Sequence, residues 1–564
     1  MNNKKEFSFR GLELHSRRMW QWGSVKRSIE LMKKLNLNAL IFHQNDIIQN
    51  LVLPSEIYPY LSRVYPGPER LLSSYIPTTY YYNNRVYINR VITEAKKANI
   101  DFYLEIKEIS YPDDIFELYP EIIKPDGSIC PTNPFWWYYL DAKIRELFNA
   151  LPEVAGIIVS PGTNETKVSI QGNTCKCKRC QITKPQEWYK KLIETMYKPI
   201  SAKGKILAVR DFTKTPQDQD LLLKTLMDFP NNVVVVLKYA QQDYYQTFPN
   251  NPKIGQVGNH PQWIEFDCWG QFYGIGFFPC SIVEDMQKRI KYCYERGAEG
   301  IILRTDWERL TEGSVFNSFN LVNVFGGAYL ARNININLDE IYEKWLEYGL
   351  FSPLHSESEM KEPMPVKSRI ALNNLKNFMN KSWIIMTKTL YVRGAPLTSS
   401  SCFPQSVDDA FKTLNIKCVW NPNFSKLIEP TEENLKEILK EKEEALNEVR
   451  QLTEILKVDD IGLPNDMENE LKVILQLYQL YVEGFYLCTK AIFYTKKFQI
   501  TKDKHDLEVT KSILNSLLLF KEKISNALKD TSYSHLTYML LDPHRIDDLI
   551  NNINYYLKIY SPYE

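Results

Sequence analysis

The sequence predicts a (β/α)8 barrel followed by an α-helical C-terminal domain. Two observations carry this reading: eight short apolar runs in the first 335 residues, and amphipathic stretches between most of them. A third weighs against the rival doubly wound sheet, because no Gly-rich phosphate loop opens the first helix. The strands are expected at Gly11–His15, Ala39–His43, Phe102–Ile106, Gly156–Ser160, Ile206–Arg210, Val233–Lys238, Trp263–Asp267 and Gly300–Arg304. Runs such as VVVVL at 233–237 are apolar throughout, as parallel strands covered on both faces require.

The intervening helices follow from apolar residues that recur every three to four positions. They are VKRSIELMKKLN, NRVITEAKKAN, FWWYYLDAKIRELFNAL, PQEWYKKLIETMYKPI, QDLLLKTLMDF and IVEDMQKRIKYCYERG. The sixth connection differs. Residues 246–262 hold three prolines and no helical period, so a long loop is expected there, where barrels place their binding loops. The barrel is assigned to 1–345 and a mixed connecting region to 346–429, with a loop-like stretch at 353–366. A helical domain fills 430–564, where Glu432 lies four residues before Lys436 and further helices are expected at about 466–496, 505–529 and 543–559.

Composition narrows the function. Lys+Arg number 69 against 68 Asp+Glu, a net charge of +1, and a nucleic-acid binder working by counterion release is usually far more basic. No apolar run reaches the length of a membrane span, and the N-terminus has no apolar leader segment, so a soluble cytoplasmic protein is expected. Ten cysteines are too few for a disulfide scaffold of this length. Aromatic content is 13%, which fits a carbohydrate partner, since flat apolar rings stack on sugars. HExxH, Walker A and GxSxG motifs are absent.

Residues at the C-terminal ends of barrel strands face the active site. That rule selects Glu13 and His15, then His43, Asn45 and Asp46, then Glu105 and Glu108, and then Glu165 in the SPGTNE loop. The later strands supply Arg210 and Asp211, Lys238 and Asp243, Glu265 and Asp267, and Arg304, Asp306 and Glu308. Many carboxylates with few histidines suit acid/base chemistry on a polyhydroxylated substrate. Trp20, Trp22, Trp269 and Trp307 follow strand ends, where they either stack on sugar or pack the barrel mouth.

The stretch PTNPFWWYYLDAKIRELFNALPEVAGIIVSPGTNE, residues 131–165, resembles the bacterial α-glucuronidases of glycoside hydrolase family 67. So do KILAVRDF, VVVVLKYAQQDYY, WIEFDCWGQFYG and GSVFNSFNLVNVFGGAYLARNININLDEIYEKW, so the likeness spans roughly residues 130–347. The resemblance implies that Glu165 is the general acid, that Asp243 is a base carboxylate and that Glu265 matches a family glutamate. Lys238 and Arg210 are expected to bind a substrate carboxylate or hydroxyls, and the positions at and just past strand ends leave His15, Trp20, Trp269, Gln271, Arg304 and Asp306 as further candidate substrate contacts. Three departures stand out. The second base carboxylate falls on Gln271, a uronate-holding lysine falls on Ser160, and the family's N-terminal β-domain has no counterpart. Asp243 then stands alone, or Asp267, four residues before Gln271, takes over part of the role, and the choice of base among Asp243, Glu265 and Asp267 stays open.

The implied activity is that of an exo-acting glycoside hydrolase releasing a terminal α-linked uronic acid, or a related sugar, from an oligosaccharide, with inversion. A carbohydrate-binding protein with weakened catalysis, and a retaining hydrolase of a neutral sugar, are the alternatives. No cofactor is expected for catalysis, and a homodimer through the helical domain is the one protein partner considered. Separately, NTCKCKRCQ brings Cys175, Cys177 and Cys180 together at C-x-C-x2-C spacing. This suits a structural zinc if Cys130 or a histidine supplies a fourth ligand.

Overall fold

The structure is a computed structural model that describes residues 6–58, 77–113, 115–163, 165–308, 313–354, 362–458, 460–529 and 533–560. Part of the loop-like stretch at 353–366, residues 355–361, lies outside the described residues. Eight strands close into a barrel: β1 Phe9–Leu14, β2 Ala39–His43, β3 Asp101–Ile106, β4 Gly156–Val159, β5 Ile206–Arg210, β6 Val234–Lys238, β7 Gln262–Asp267 and β8 Gly300–Arg304. Each lies within two residues of its expected bounds. The fold is a (β/α)8 barrel with a helical C-terminal region.

Helices occupy the expected connections, at Trp22–Leu35, Pro77–Lys97, Phe135–Ala150, Pro185–Ala202, Pro216–Leu226 and Val283–Glu295. The start of the helix at Pro216–Leu226 is chemically marked. Thr215 accepts a hydrogen bond from the Asp218 amide at 3.1 Å, with Pro216 as the first helical residue, where its missing N–H costs nothing. No helix forms between β6 and β7, as the three prolines require.

One layer of the barrel interior is filled by Phe9, Ile41, Tyr103, Ile158, Val236, Trp263 and Ile302, all buried. Phe9 and Trp263 stack face to face at 3.6 Å. Gly300 makes room for that indole, since a Cβ there would lie 2.3 Å from it. The same strand register sets polar residues level at the far end. Glu13 lies opposite Arg304, His43 opposite Glu105, and Lys238 opposite Glu265.

The chain divides into two compact units that do not follow chain order. One comprises residues 1–239, 251–266 and 291–311; the other comprises 240–250, 267–290 and 312–564. The second unit holds long helices at Arg369–Leu390, Glu432–Val458, Asn465–Thr501, Lys504–Ala527 and Pro543–Tyr560, the last four close to the expected positions and the first inside the connecting region. Within it the buried Lys442 ammonium donates to the carbonyls of Lys388, Thr389 and Tyr391, closing the C-terminus of the first of these helices. Burial holds this lysine at about 8. No described helix is long and apolar enough to cross a membrane.

Candidate active site

At the C-terminal end of the barrel, the first unit gathers a buried polar floor. His43 Nδ1 lies 2.7 Å from Glu13 Oε1 and 3.3 Å from Glu105 Oε1. His15 stacks on His43 with ring centroids 3.7 Å apart, and its Nε2 lies 2.9 Å from Glu308 Oε2. Burial governs the protonation states. It depresses both imidazoles, His15 to about 4, and lifts Glu105 to about 7 and Glu13 well above the usual carboxylate range. The floor therefore favours neutral imidazoles next to carboxyls that hold protons near neutrality. Donor atoms of Glu13, His15 and His43 lie within 4.8 Å of one another, but the closest pair already engages each other.

Above that floor is a cluster of cations. Arg210 grips Glu265 with two bonds, Nε to Oε2 at 2.7 Å and the second guanidinium nitrogen to Oε1 at 2.9 Å. Such a fork fixes both side chains. Lys107, Arg210 and Lys238, all buried, surround the ring of Phe212 at 4.4, 5.2 and 4.2 Å from its centroid. Burial and the Arg210 charge hold Lys107 below its usual range. Its ammonium lies 3.5 Å from the carboxylate of Glu165, whose side chain keeps 42% of its surface exposed.

Glu165 rides on a loop that is anchored on both sides. The buried Glu108 carboxylate accepts from the Gly162 amide at 2.8 Å and from the Trp188 indole N–H at 2.9 Å. Beyond Glu165, Val168 bridges Ile109, and Thr166 Oγ1 donates to the Ile109 carbonyl at 2.7 Å. Asn45 donates to the carbonyl of Glu165 itself at 2.9 Å. The backbone at the rim is thereby held while the acid stays open to solvent.

The second unit contains the residues that follow β6 and β7. Asp243 is half-buried and sits in left-handed backbone, φ 47°, which Asp tolerates better than most residues. Its loop is tied down by Arg289, which donates to the carbonyls of Gln246 at 2.8 Å and Phe248 at 3.0 Å. Asp267 has a different task from the one expected of a base. Its buried oxygens accept the amides of Trp269, Gly270 and Gln271 at 2.8–3.3 Å, so the carboxylate organises the turn after β7.

Other expected contacts are redistributed in the same way. Trp269 is fully buried and offers no face for a sugar. Asp306 is spent on the turn after β1, accepting the His15 amide at 2.7 Å and the Ser16 hydroxyl at 2.5 Å. Glu265 is the two-bond partner of Arg210. Trp20 remains half-exposed, with its indole N–H on Gln44 at 3.1 Å, while Arg304 is buried beside Glu13. Gln271 is half-buried, and its carbonyl accepts from the Ser401 hydroxyl at 3.0 Å.

Two site residues went unread from sequence: Lys107 and Phe212. Each stands two positions beyond a selected strand-end residue, Glu105 and Arg210, and a period of two turns both onto the same face.

No protein-family model matches the sequence, and no curated protein matches it. In structure the chain is similar to a glycoside hydrolase family 138 enzyme that targets pectin rhamnogalacturonan II. The TM-score is 0.65 at 12% identity, over 99% of this chain and 84% of that one. That likeness shows the fold. A family 115 4-O-methyl-α-glucuronidase specific for decorated arabinogalactans aligns at TM-score 0.45 and 11% identity, over 96% of this chain and 61% of that one. A Thermobaculum terrenum O-GlcNAc hydrolase aligns at 0.41 and 11%, over 98% and 95%. None of these neighbours is named as a member of family 67.

Proposed function

We propose that the protein is an exo-acting glycoside hydrolase releasing a terminal α-linked uronic acid, or a related acidic sugar, from an oligosaccharide. The observation that carries this is the cation cluster beside an open acid: Lys107, Arg210 and Lys238 around Phe212, with Glu165 3.5 Å from Lys107. A sugar carboxylate entering this end of the barrel meets lysine donors and the positive charge of a guanidinium that Glu265 holds in place. A protonated Glu165 donates to the glycosidic oxygen, which leaves as an alcohol. Asp243 takes a proton from water as the new bond to the anomeric carbon forms, giving inversion. The fold neighbour of family 138, which targets a pectic polysaccharide, is consistent with an acidic sugar.

The test is a panel of uronosyl and neutral oligosaccharides and aryl glycosides, with the product anomer read by NMR. Turnover of uronosyl substrates with inverted product is expected. Turnover of neutral sugars alone would overturn the uronate reading, and retention would overturn the role given to Asp243.

A second reading has its own support. Gln271 stands where family 67 has a carboxylate, and Asp267 is committed to its turn. A carbohydrate-binding protein with weakened catalysis is therefore the alternative. Binding of panel members without turnover would establish it.

A further inference from the structure

The cysteines selected from the sequence meet a fourth in space. Cys130, Cys175, Cys177 and Cys180 place their sulfurs within 4.8 Å of one another. Cys130 Sγ lies 3.8 Å from Cys177 Sγ and 3.4 Å from Cys180 Sγ. We propose that these four thiolates bind one zinc ion in a closed, structural site. A tetrahedral ion with Zn–S bonds of about 2.3 Å holds its sulfurs about 3.8 Å apart, close to the 3.8 and 3.4 Å separations from Cys130. An iron–sulfur cluster inserts its own iron and sulfide atoms and needs wider gaps between thiolates.

The surroundings suit thiolates bound to a metal. Lys124 Nζ lies 2.6 Å from Cys175 Sγ, a cation set against the net negative charge of a tetrathiolate zinc. The Cys180 amide points at Cys177 Sγ at 3.4 Å, and the Thr132 hydroxyl lies 3.2 Å from Cys130 Sγ and 3.3 Å from Cys180 Sγ. Such outer partners orient ligands and stabilise their charge. Four protein ligands leave no position for substrate, so the ion's work is mechanical.

The ligands come from two loops. Cys130 closes the segment after β3, just past the bridge between Ile123 and Ile129. The other three lie in the segment after β4 that begins with the Glu165 rim. The metal therefore joins two of the barrel's long loops, which already share the Ile109–Val168 bridge. This site stands independently of the proposed reaction, because its readout is metal content.

The full chain is purified under reducing conditions without chelator from zinc-supplemented cells, and metal is measured by mass spectrometry. About one zinc per chain is expected. Cys130→Ser and Cys177→Ser should each lose it, while Cys418→Ser, outside the cluster, should keep it. Should the cluster variants fail to fold, wild-type protein is stripped with a mercurial reagent and reloaded with cobalt. A tetrahedral spectrum with strong sulfur-to-cobalt charge transfer supports the site, and its absence overturns it. Wild-type protein free of zinc and unable to take it up, zinc retained when Cys130 and Cys177 are both replaced, or a stoichiometric iron in its place would each overturn the proposal.

Discussion

Glu165 lies in the loop beyond β4 and Asp267 is the last residue of β7, and their surroundings are opposite. The Glu165 loop is fixed through its backbone, by Asn45 and by the neighbouring Ile109–Val168 bridge, while its carboxylate stays 42% exposed beside one lysine. Asp267 is buried, and its oxygens take up three amides of the following turn. The same rule selects both, from the C-terminal ends of barrel strands. What separates a group available for chemistry from one holding the fold is whether the backbone or the side chain carries the anchoring bonds.

Four substitutions sharpen that contrast. Glu165→Gln removes a proton donor without altering shape, and kcat should fall by roughly 10²–10⁴ while the melting temperature holds, as kinetics and calorimetry check. Asp267→Ala should do the reverse. Three amides lose a charged acceptor, and stability should drop by about 3–4 kcal/mol in denaturant unfolding.

The third concerns pH. Burial pushes the Glu108 carboxyl from 4.5 up to about 7. A carboxyl whose pKa rises on folding stabilises the native state at low pH, and that contribution is lost as pH rises through the folded value. Wild type relative to Glu108→Gln should therefore lose up to about 3 kcal/mol between pH 4.5 and 7.5. A difference that stays flat across this window would mean that Glu108 ionises normally. The smallest effect is expected for Lys107→Met, which should raise KM for uronosyl substrates about tenfold and leave neutral substrates unchanged.

The barrel was legible because parallel strands covered on both faces write themselves as β-branched runs, and VVVVL before Lys238 is readable without context. The floor was legible too, since Glu13, His15, His43 and Glu105 follow from strand ends alone. The turn amides held by Asp267 and Asp306 and the burial of Trp269 were not legible, because they come from tertiary structure, which a strand-end rule does not contain. Cys130 completes its cluster from 45 residues before Cys175, a separation that only the adjacency of β3 and β4 closes.

The central claim is that Glu165 protonates the leaving oxygen, and leaving-group dependence tests it most directly. The ratio of wild-type to Glu165→Gln kcat/KM is measured on uronosyl substrates with sugar or alkyl leaving groups and on a nitro-activated aryl uronoside. The account predicts a ratio of roughly 10²–10⁴ for the former and near unity for the latter, whose leaving group departs without a proton. Equal losses on both would contradict it.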